Sequence, residues 1–188
     1  MRTVIQRVLH ASVTIDGNIK SSIGNGLLLL LGVEEADTSE DVDWLVKKVA
    51  ALRIFDDENG VMNRSLVDVE GEALVVSQFT LYASYKKGNR PSWFRAARHE
   101  ISVPLYEEFC RKLSDAIGKE VATGEALVVV ATSHDASQFA HLFGEASHVG
   151  QFGEIAHAVL LYPAVYSLLC FLYCHIVICD VISPTTVP

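Results

Sequence analysis

Residues 73–83 read ALVVSQFTLYA, and four of them could do chemistry: Ser77, Gln78, Phe79 and Thr80. Two hydroxyls can attack or donate, a carboxamide can do both halves of a hydrogen bond, and an aromatic ring can wall a pocket. All four follow the apolar run Leu74, Val75, Val76, which predicts a buried strand. Side chains alternate along a strand, so Gln78 and Thr80 are expected on one face and Ser77 and Phe79 on the other. Hydroxyls at a strand end are usually satisfied neighbours of the sheet, and on pattern alone that reading outweighs a catalytic one. The opposing consideration is that strand ends and loops on a rigid scaffold are where catalysis concentrates. No Ser-His-Asp arrangement surrounds this run, and residues 1–124 contain no metal-ligand set.

The elements that would position these residues are legible on either side. Residues 3–8 and 12–15 alternate, Asp16-Gly17 is a turn dipeptide, and residues 19–23 continue the meander. Residues 27–31 form a continuous apolar run between glycines, as expected of a strand buried on both faces. Asp37, Thr38 and Ser39 can cap a helix whose apolar positions are Val42, Leu45, Val46, Val49 and Leu52. The acidic run at 56–58 reads as a solvated turn rather than a metal site. A second helix is predicted from Val103, capped by Ser102, with Pro104 in its first turn and Gly118 at its end. Its buried stripe is Leu105, Phe109, Leu113 and Ile117. The order of strands and helices indicates an α/β protein.

Between the SQFTL run and the second helix lies a loop of mixed character. Residues 85–98 interleave Lys86, Lys87, Arg90, Arg95 and Arg98 with Tyr85, Trp93 and Phe94 around a Gly/Pro turn. Cations neutralise phosphates and aromatic rings stack on unpaired bases, so RNA contact is one reading. An ordinary solvated loop with core-facing aromatics is the other, and composition does not choose between them.

Composition sets the class and divides the chain. The 188 residues are 50% hydrophobic and 20% charged, as in a folded domain. A formal net charge of −8 argues against bulk, sequence-blind nucleic-acid binding. All 15 Lys and Arg lie between Arg2 and Lys119; the 69 residues that follow carry six acids and no Lys or Arg. Cys110 stands apart from Cys170, Cys174 and Cys179, a spacing that suggests neither a disulfide framework nor zinc, hence a reducing compartment. No apolar segment of the signal-peptide type follows Arg2 and Arg7. His134, His141 and His148 recur every seven residues, but Gly144, Gly150 and Gly153 argue against the firm helix a metal site would need. No metal and no cofactor is expected.

The residues quoted above resemble those of a known family. The opening MRTVIQRV, Ala11-Ser12-Val13, the strand at 26–32, and Arg53-Ile54-Phe55 all fit. So do Gly60-Val61-Met62-Asn63, SQFTL at 77–81 and Gly88-Asn89-Arg90-Pro91-Ser92. In this order and spacing they are similar to the D-aminoacyl-tRNA deacylases, formerly D-tyrosyl-tRNA deacylases, over residues 1–124. The resemblance implies a barrel-like, mostly antiparallel sheet with helices packed on one side. It implies a cytoplasmic esterase that frees D-amino acids from mischarged tRNA, acting as a homodimer with its active site at the subunit interface. Thr80, Gln78, Ser77 and Phe79 are then the expected catalytic set, and Arg7, Lys86, Lys87 and Arg90 the expected tRNA contacts. The expected mechanism positions the ester and polarises it through backbone N–H groups near Phe79 and Thr80; the ribose 2′-OH or a water completes it.

Residues 125–188 depart from the family. Its Asn-x-Gly-Pro-Val-Thr run is absent, and the chain contains no Gly-Pro dipeptide. In the family that pair enters the partner's active site and blocks L-amino acids. The hexapeptide GEALVV at 71–76 recurs at 124–129, where the closing strands should begin, and resembles a junction. Residues 158–179 are an uncharged apolar run long enough to cross a bilayer, although Pro163, His175 and the lack of flanking cations weaken that reading. A tail anchor, an extra core segment and an out-of-frame tail compete; the missing cations and missing motif favour the last. The expectation is therefore an incomplete deacylase-like domain at 1–124, with closing strands missing or replaced. Residues 130–188 are expected to have no fixed place in it. The competing function is a non-catalytic tRNA-binding or tail-anchored product.

Overall fold

The computed structural model describes residues 1–15, 18–86, 88–125, 129–132 and 176–180, the last two segments and Glu125 as backbone only. The N-terminal meander forms β1 (Arg2–Val8), β2 (His10–Ile15), β3 (Asn18–Ile23) and β4 (Gly26–Gly32). Helix α1 (Ser39–Ala51), the short pair β5 (Phe55–Asp56) and β6 (Met62–Arg64), and β7 (Glu72–Ser77) follow. A 3-10 turn (Phe79–Tyr82), helix α2 (His99–Ile117), β8 (Ala122–Glu125), β9 (Val129–Thr132) and β10 (Ile176–Asp180) complete the described elements.

The strands divide into a five-stranded sheet, ordered β10-β1-β4-β7-β8, a three-stranded sheet, ordered β3-β2-β9, and the β5-β6 pair. The pairings β4–β7 and β7–β8 are parallel; the others are antiparallel. Among the described residues the strands thus belong to separate sheets rather than one ladder closing round a barrel.

Strand alternation explains the layering. Leu27, Leu29, Leu31, Ala73 and Val75 face both helices, packing with Val42, Leu45, Val49, Phe109 and Leu113. Leu28, Leu74 and Val76 face the smaller sheet, packing with Val8, Ala11, Val13 and Ile23. β4 and β7 are therefore buried on both faces, which is why each reads as an unbroken apolar run. Their backbones pack closely: a methyl group on Gly26 would stand 1.9 Å from the Glu72 carbonyl oxygen.

The helices follow their periodicity with one correction. α1 begins behind Thr38, whose backbone N–H donates to the Asp41 carboxylate at 2.8 Å. α2 begins at His99, a turn before the predicted start at Val103, and Arg98 rather than Ser102 is its cap. Pro104 consequently sits inside the helix, where it lacks the N–H that would bond to the carbonyl four residues earlier. A proline at helix entry was the wrong inference from sequence; here the helix runs through it. Gly118 ends α2 in the left-handed conformation, φ 67°.

Two short pieces of the tail do hold strand positions. Val129–Thr132 pairs with β2, and Ile176–Asp180 pairs with β1 from Gln6 to Arg2. Of residues 130–188, for which no fixed place was expected, only residues in these two segments are described, on the edges of the five- and three-stranded sheets; the rest lies outside the described residues. The repeated hexapeptide takes two forms: its first copy enters β7, while Gly124 and Glu125 end β8 and Val129 opens β9. The histidines at 134, 141 and 148, and most of residues 158–179, lie outside the described residues. Among those described, no helix is long and apolar enough to cross a membrane.

Candidate active site

β7 ends at Ser77, and the chain then turns rather than continuing as a strand. Gln78 keeps one sheet-like bond, its N–H donating to the Leu31 carbonyl at 2.8 Å. Phe79–Tyr82 then coil into a single 3-10 turn, closed by the Leu81 N–H on the Gln78 carbonyl at 3.3 Å and the Ala83 N–H on the Thr80 carbonyl at 3.0 Å. The alternation expected from an extended strand is thus overturned. Gln78 and Thr80 still meet, because Gln78 Nε2 donates directly to Thr80 Oγ1 across the turn. Ser77 is exposed at the strand end, and Phe79 stands 57% exposed at the head of the turn.

The turn lies at the carboxyl ends of the parallel pair β4–β7, the end of such sheets where ligands usually bind. It rests on Gly32: a Cβ there would meet the Gln78 carbonyl oxygen at 3.1 Å and the Tyr82 ring at 3.2 Å. Tyr82 is 4% exposed. Burial first, then the nearby Asp37 and Glu34 carboxylates, push its phenol well above the usual tyrosine range, so it stays protonated. Two guanidinium groups approach its ring, Arg2 at 5.0 Å and Arg95 at 5.7 Å from the centroid. Arg2 Nη1 also donates to the Leu81 carbonyl at 2.6 Å, and Arg95 Nε to Glu34 Oε1 at 2.6 Å.

The basic loop stands beside this turn. Ser84 and Ser92 exchange backbone hydrogen bonds at 2.8 and 2.9 Å, which close the base of the segment between them. Lys86 and Arg90 are exposed on it; Lys87 lies outside the described residues. Trp93 meets Phe79 edge to face, with ring centroids 5.9 Å apart. Tyr85, Trp93 and Phe94 are exposed rather than core-facing, which removes one support of the ordinary-loop reading.

Arg7 is not part of this constellation. It sits at the far end of β1 from Arg2, about 17 Å away at strand rise. It is 4% exposed, donates through Nη1 to the Ile54 carbonyl at 3.0 Å and pairs with Asp56 at 3.1 Å. There it lines an open cleft of about 430 Å³ with Asn25, Asp56, Arg64 and Asp68. That cleft lies away from the SQFTL turn, in which Gln78, Thr80 and Leu81 are half-buried. Spacing pointed to none of Arg2, Gly32, Glu34 or Arg95 as neighbours of the turn. Arg2 and Leu81 are 79 residues apart, and nothing local in the sequence announces their contact.

Among the described residues no group of three or more His, Cys, Asp or Glu could hold a metal ion. The site offers instead a hydroxyl fixed by an amide, backbone N–H groups at the start of a turn, an aromatic edge and an adjacent cationic loop. Such a set suits a polar ester carried on a nucleic acid.

Solved structures with the same architecture define the class first. The chain is similar to the c-Myc DNA unwinding element binding protein (TM-score 0.65, 33% identity), over 73% of this chain and 93% of that one. It shares the fold of a probable eukaryotic D-amino acid tRNA deacylase (TM-score 0.54, 19% identity), over 62% and 68% of the two chains. The profile of the D-Tyr-tRNA(Tyr) deacylase family matches residues 4–131, and the chain belongs to that family. Relatives include D-aminoacyl-tRNA deacylases from Bacteroides fragilis strain YCH46 (66% identical over 125 residues) and Dechloromonas aromatica (61% over 124). Each match spans 66% of this chain and 83% of the relative.

Proposed function

We infer that this chain hydrolyses the ester of D-aminoacyl-tRNA, adding water to release the D-amino acid and tRNA with a free 3′ end. The observation that supports this most is the SQFTL turn, with the Gln78 amide seated on the Thr80 hydroxyl, inside a region 66% identical to named deacylases. By accepting from Gln78, Thr80 Oγ1 is fixed in direction while its own proton remains available to a substrate oxygen. Thr80 attack would need a base, and among the described residues its hydroxyl has only the Gln78 amide as a partner; its role is to position. Backbone N–H groups of Phe79 and Thr80 polarise the ester carbonyl; a water, oriented by the ribose 2′-OH, supplies the oxygen nucleophile, and the ribose 3′ oxygen leaves as the hydroxyl. Ser77 and Phe79 border the reacting group.

Lys86, Lys87 and Arg90 contact tRNA phosphates, while Phe79 and Trp93 offer an aromatic edge for the terminal nucleotide. Arg7 is assigned no contact with the same part of the tRNA, because it is buried and paired elsewhere. The active protein is a cytoplasmic homodimer with the site at its subunit interface, and the two sheets are the halves of a barrel-like body.

The test measures hydrolysis of D-tyrosyl-tRNA by the full chain and by Gln78→Ala and Thr80→Val. Removing one positioned hydrogen-bonding group is expected to lower kcat by about 10²-fold. Rates within twofold of the parent in both variants would exclude this turn as the site. In parallel, Lys86→Glu/Lys87→Glu/Arg90→Glu should weaken tRNA binding and flatten its salt dependence. An unchanged salt slope would reduce the loop to a solvated surface.

A further inference from the structure

We propose that Arg2 and Arg95 are positioning residues for hydrolysis, holding the Phe79–Tyr82 turn in place by gripping Tyr82 and the Leu81 carbonyl. The inference rests on reading that turn as the catalytic one. A single 3-10 turn is a weak element: it has few internal hydrogen bonds of poor geometry and cannot hold its own shape. Something outside it must fix Gln78 and Thr80, and the contacts that do so are unevenly distributed. Below lies Gly32, whose lack of a side chain lets the turn settle against β4. On the flank are two cations. Arg2 combines a 2.6 Å bond to the Leu81 carbonyl with an approach to the Tyr82 ring at 5.0 Å. Arg95 approaches the same ring at 5.7 Å and is held by Glu34 at 2.6 Å.

Glu34 is itself fixed. Its N–H donates to Asp37 Oδ2 at 2.6 Å, and it bridges to Ala96 beside Arg95. Arg2 is fixed by its place in β1, opposite Gly32 of β4. The two arginines therefore tie the turn to the first strand and to the base of the basic loop together. Arg95 lies in the cationic stretch, so composition alone would count it among the phosphate contacts. Its ion pair with Glu34 and its ring contact with Tyr82 instead hold the half-exposed guanidinium against the turn.

The experiment separates positioning from tRNA binding and from simple stability. Arg2→Ala, Arg95→Ala and Tyr82→Leu are expected to lower kcat about tenfold or more, since small displacements of a reacting group are costly, while KM and the salt slope of tRNA binding stay within twofold. Arg2→Lys and Tyr82→Phe should recover most of what Arg2→Ala and Tyr82→Leu lose, because a cation and a ring remain. Hydrogen exchange of the Leu81 and Ala83 amides should quicken in the three disruptive variants, with core amides of β4 and β7 unchanged. This readout needs no activity. A kcat within twofold of the parent, or a loss confined to tRNA affinity with a changed salt slope, overturns the proposal. So does unaltered exchange at Leu81 and Ala83. If Gln78→Ala and Thr80→Val are also without effect, the site reading has failed; if only those two lower kcat, the positioning role alone has failed.

Discussion

Gln78 and Thr80 meet because the chain coils after Ser77, not because they share a strand face. SQFTL stands out in the sequence because it is compact and belongs to an ordered set. Its geometry is not legible there, because alternation extrapolated past Ser77 assumes the strand continues. Arg7, an expected tRNA contact by resemblance, has a setting that the sequence does not announce: it is buried and paired with Asp56, and nothing local predicts that pair. Cys110 gives a prediction at this scale. Burial pushes its thiol up to about 11, against an ordinary value near 8.5. Alkylation of the native protein at pH 8, followed by peptide mass spectrometry, should leave Cys110 unmodified until denaturant is added. Rapid native labelling at Cys110 would mean that α2 does not pack as described.

Helix α2 shows which contacts between elements matter. Leu113 is fully buried between α2 and the sheet, and Leu113→Ala should cost about 2–5 kcal/mol in urea unfolding. One residue away, Lys112 pairs with Asp43 of α1 and with Glu108, 2.8 Å away. That cluster is open to solvent, so Lys112→Ala should lower Tm only slightly, and less in high salt. Its pH dependence has a definite sign. The Lys112 hydrogen bond holds Asp43 and Glu108 below their ordinary values, so their contribution is lost as pH falls through those lowered values. The Asp43 bond raises Lys112, so its contribution persists below the ordinary lysine value and is lost as pH rises through the raised one. The Tm difference between parent and Lys112→Ala should therefore be flat between about pH 5 and 10 and shrink outside it. Both helices were legible from periodicity. The start of α2 was not, because Pro104 looks like an entry residue although the helix runs through it.

Among the described residues, a five-stranded sheet is covered by helices on one face and by a smaller sheet on the other. The apolar run of β4 announced a strand buried on both sides and that of β7 a buried strand, and both are buried on each face. The division into two sheets was not legible, because alternation reports faces and not neighbours. The family's Gly-Pro element is absent, while the edges of β1 and β2 are occupied by Ile176–Asp180 and Val129–Thr132. Replacing residues 125–188 by the family's Asn-x-Gly-Pro-Val-Thr ending is expected to raise solubility and the preference for D- over L-aminoacyl-tRNA. Paired rate measurements on the two esters check this. Equal solubility and equal selectivity in both proteins would make the present tail a working substitute.

The parallel pairing of β4 with β7 also bears on the order in which the protein assembles. A hairpin such as β2–β3 closes over a few residues, but β4 can meet β7 only after the chain has travelled from residue 33 to residue 71 through α1 and the β5–β6 pair. Closing a loop of that length costs about 3 kcal/mol of chain entropy before any contact repays it. Parallel, non-local pairings are accordingly slow steps in folding. The turn at Phe79–Tyr82 is attached to the end of β7 and rests on the last residue of β4, so it cannot take its shape before those strands join. The reactive surface is thus expected to be among the last features to form during refolding. In a pulsed hydrogen-exchange experiment the Gln78 and Ala83 amides should gain protection after those of β2 and β3, in step with β7.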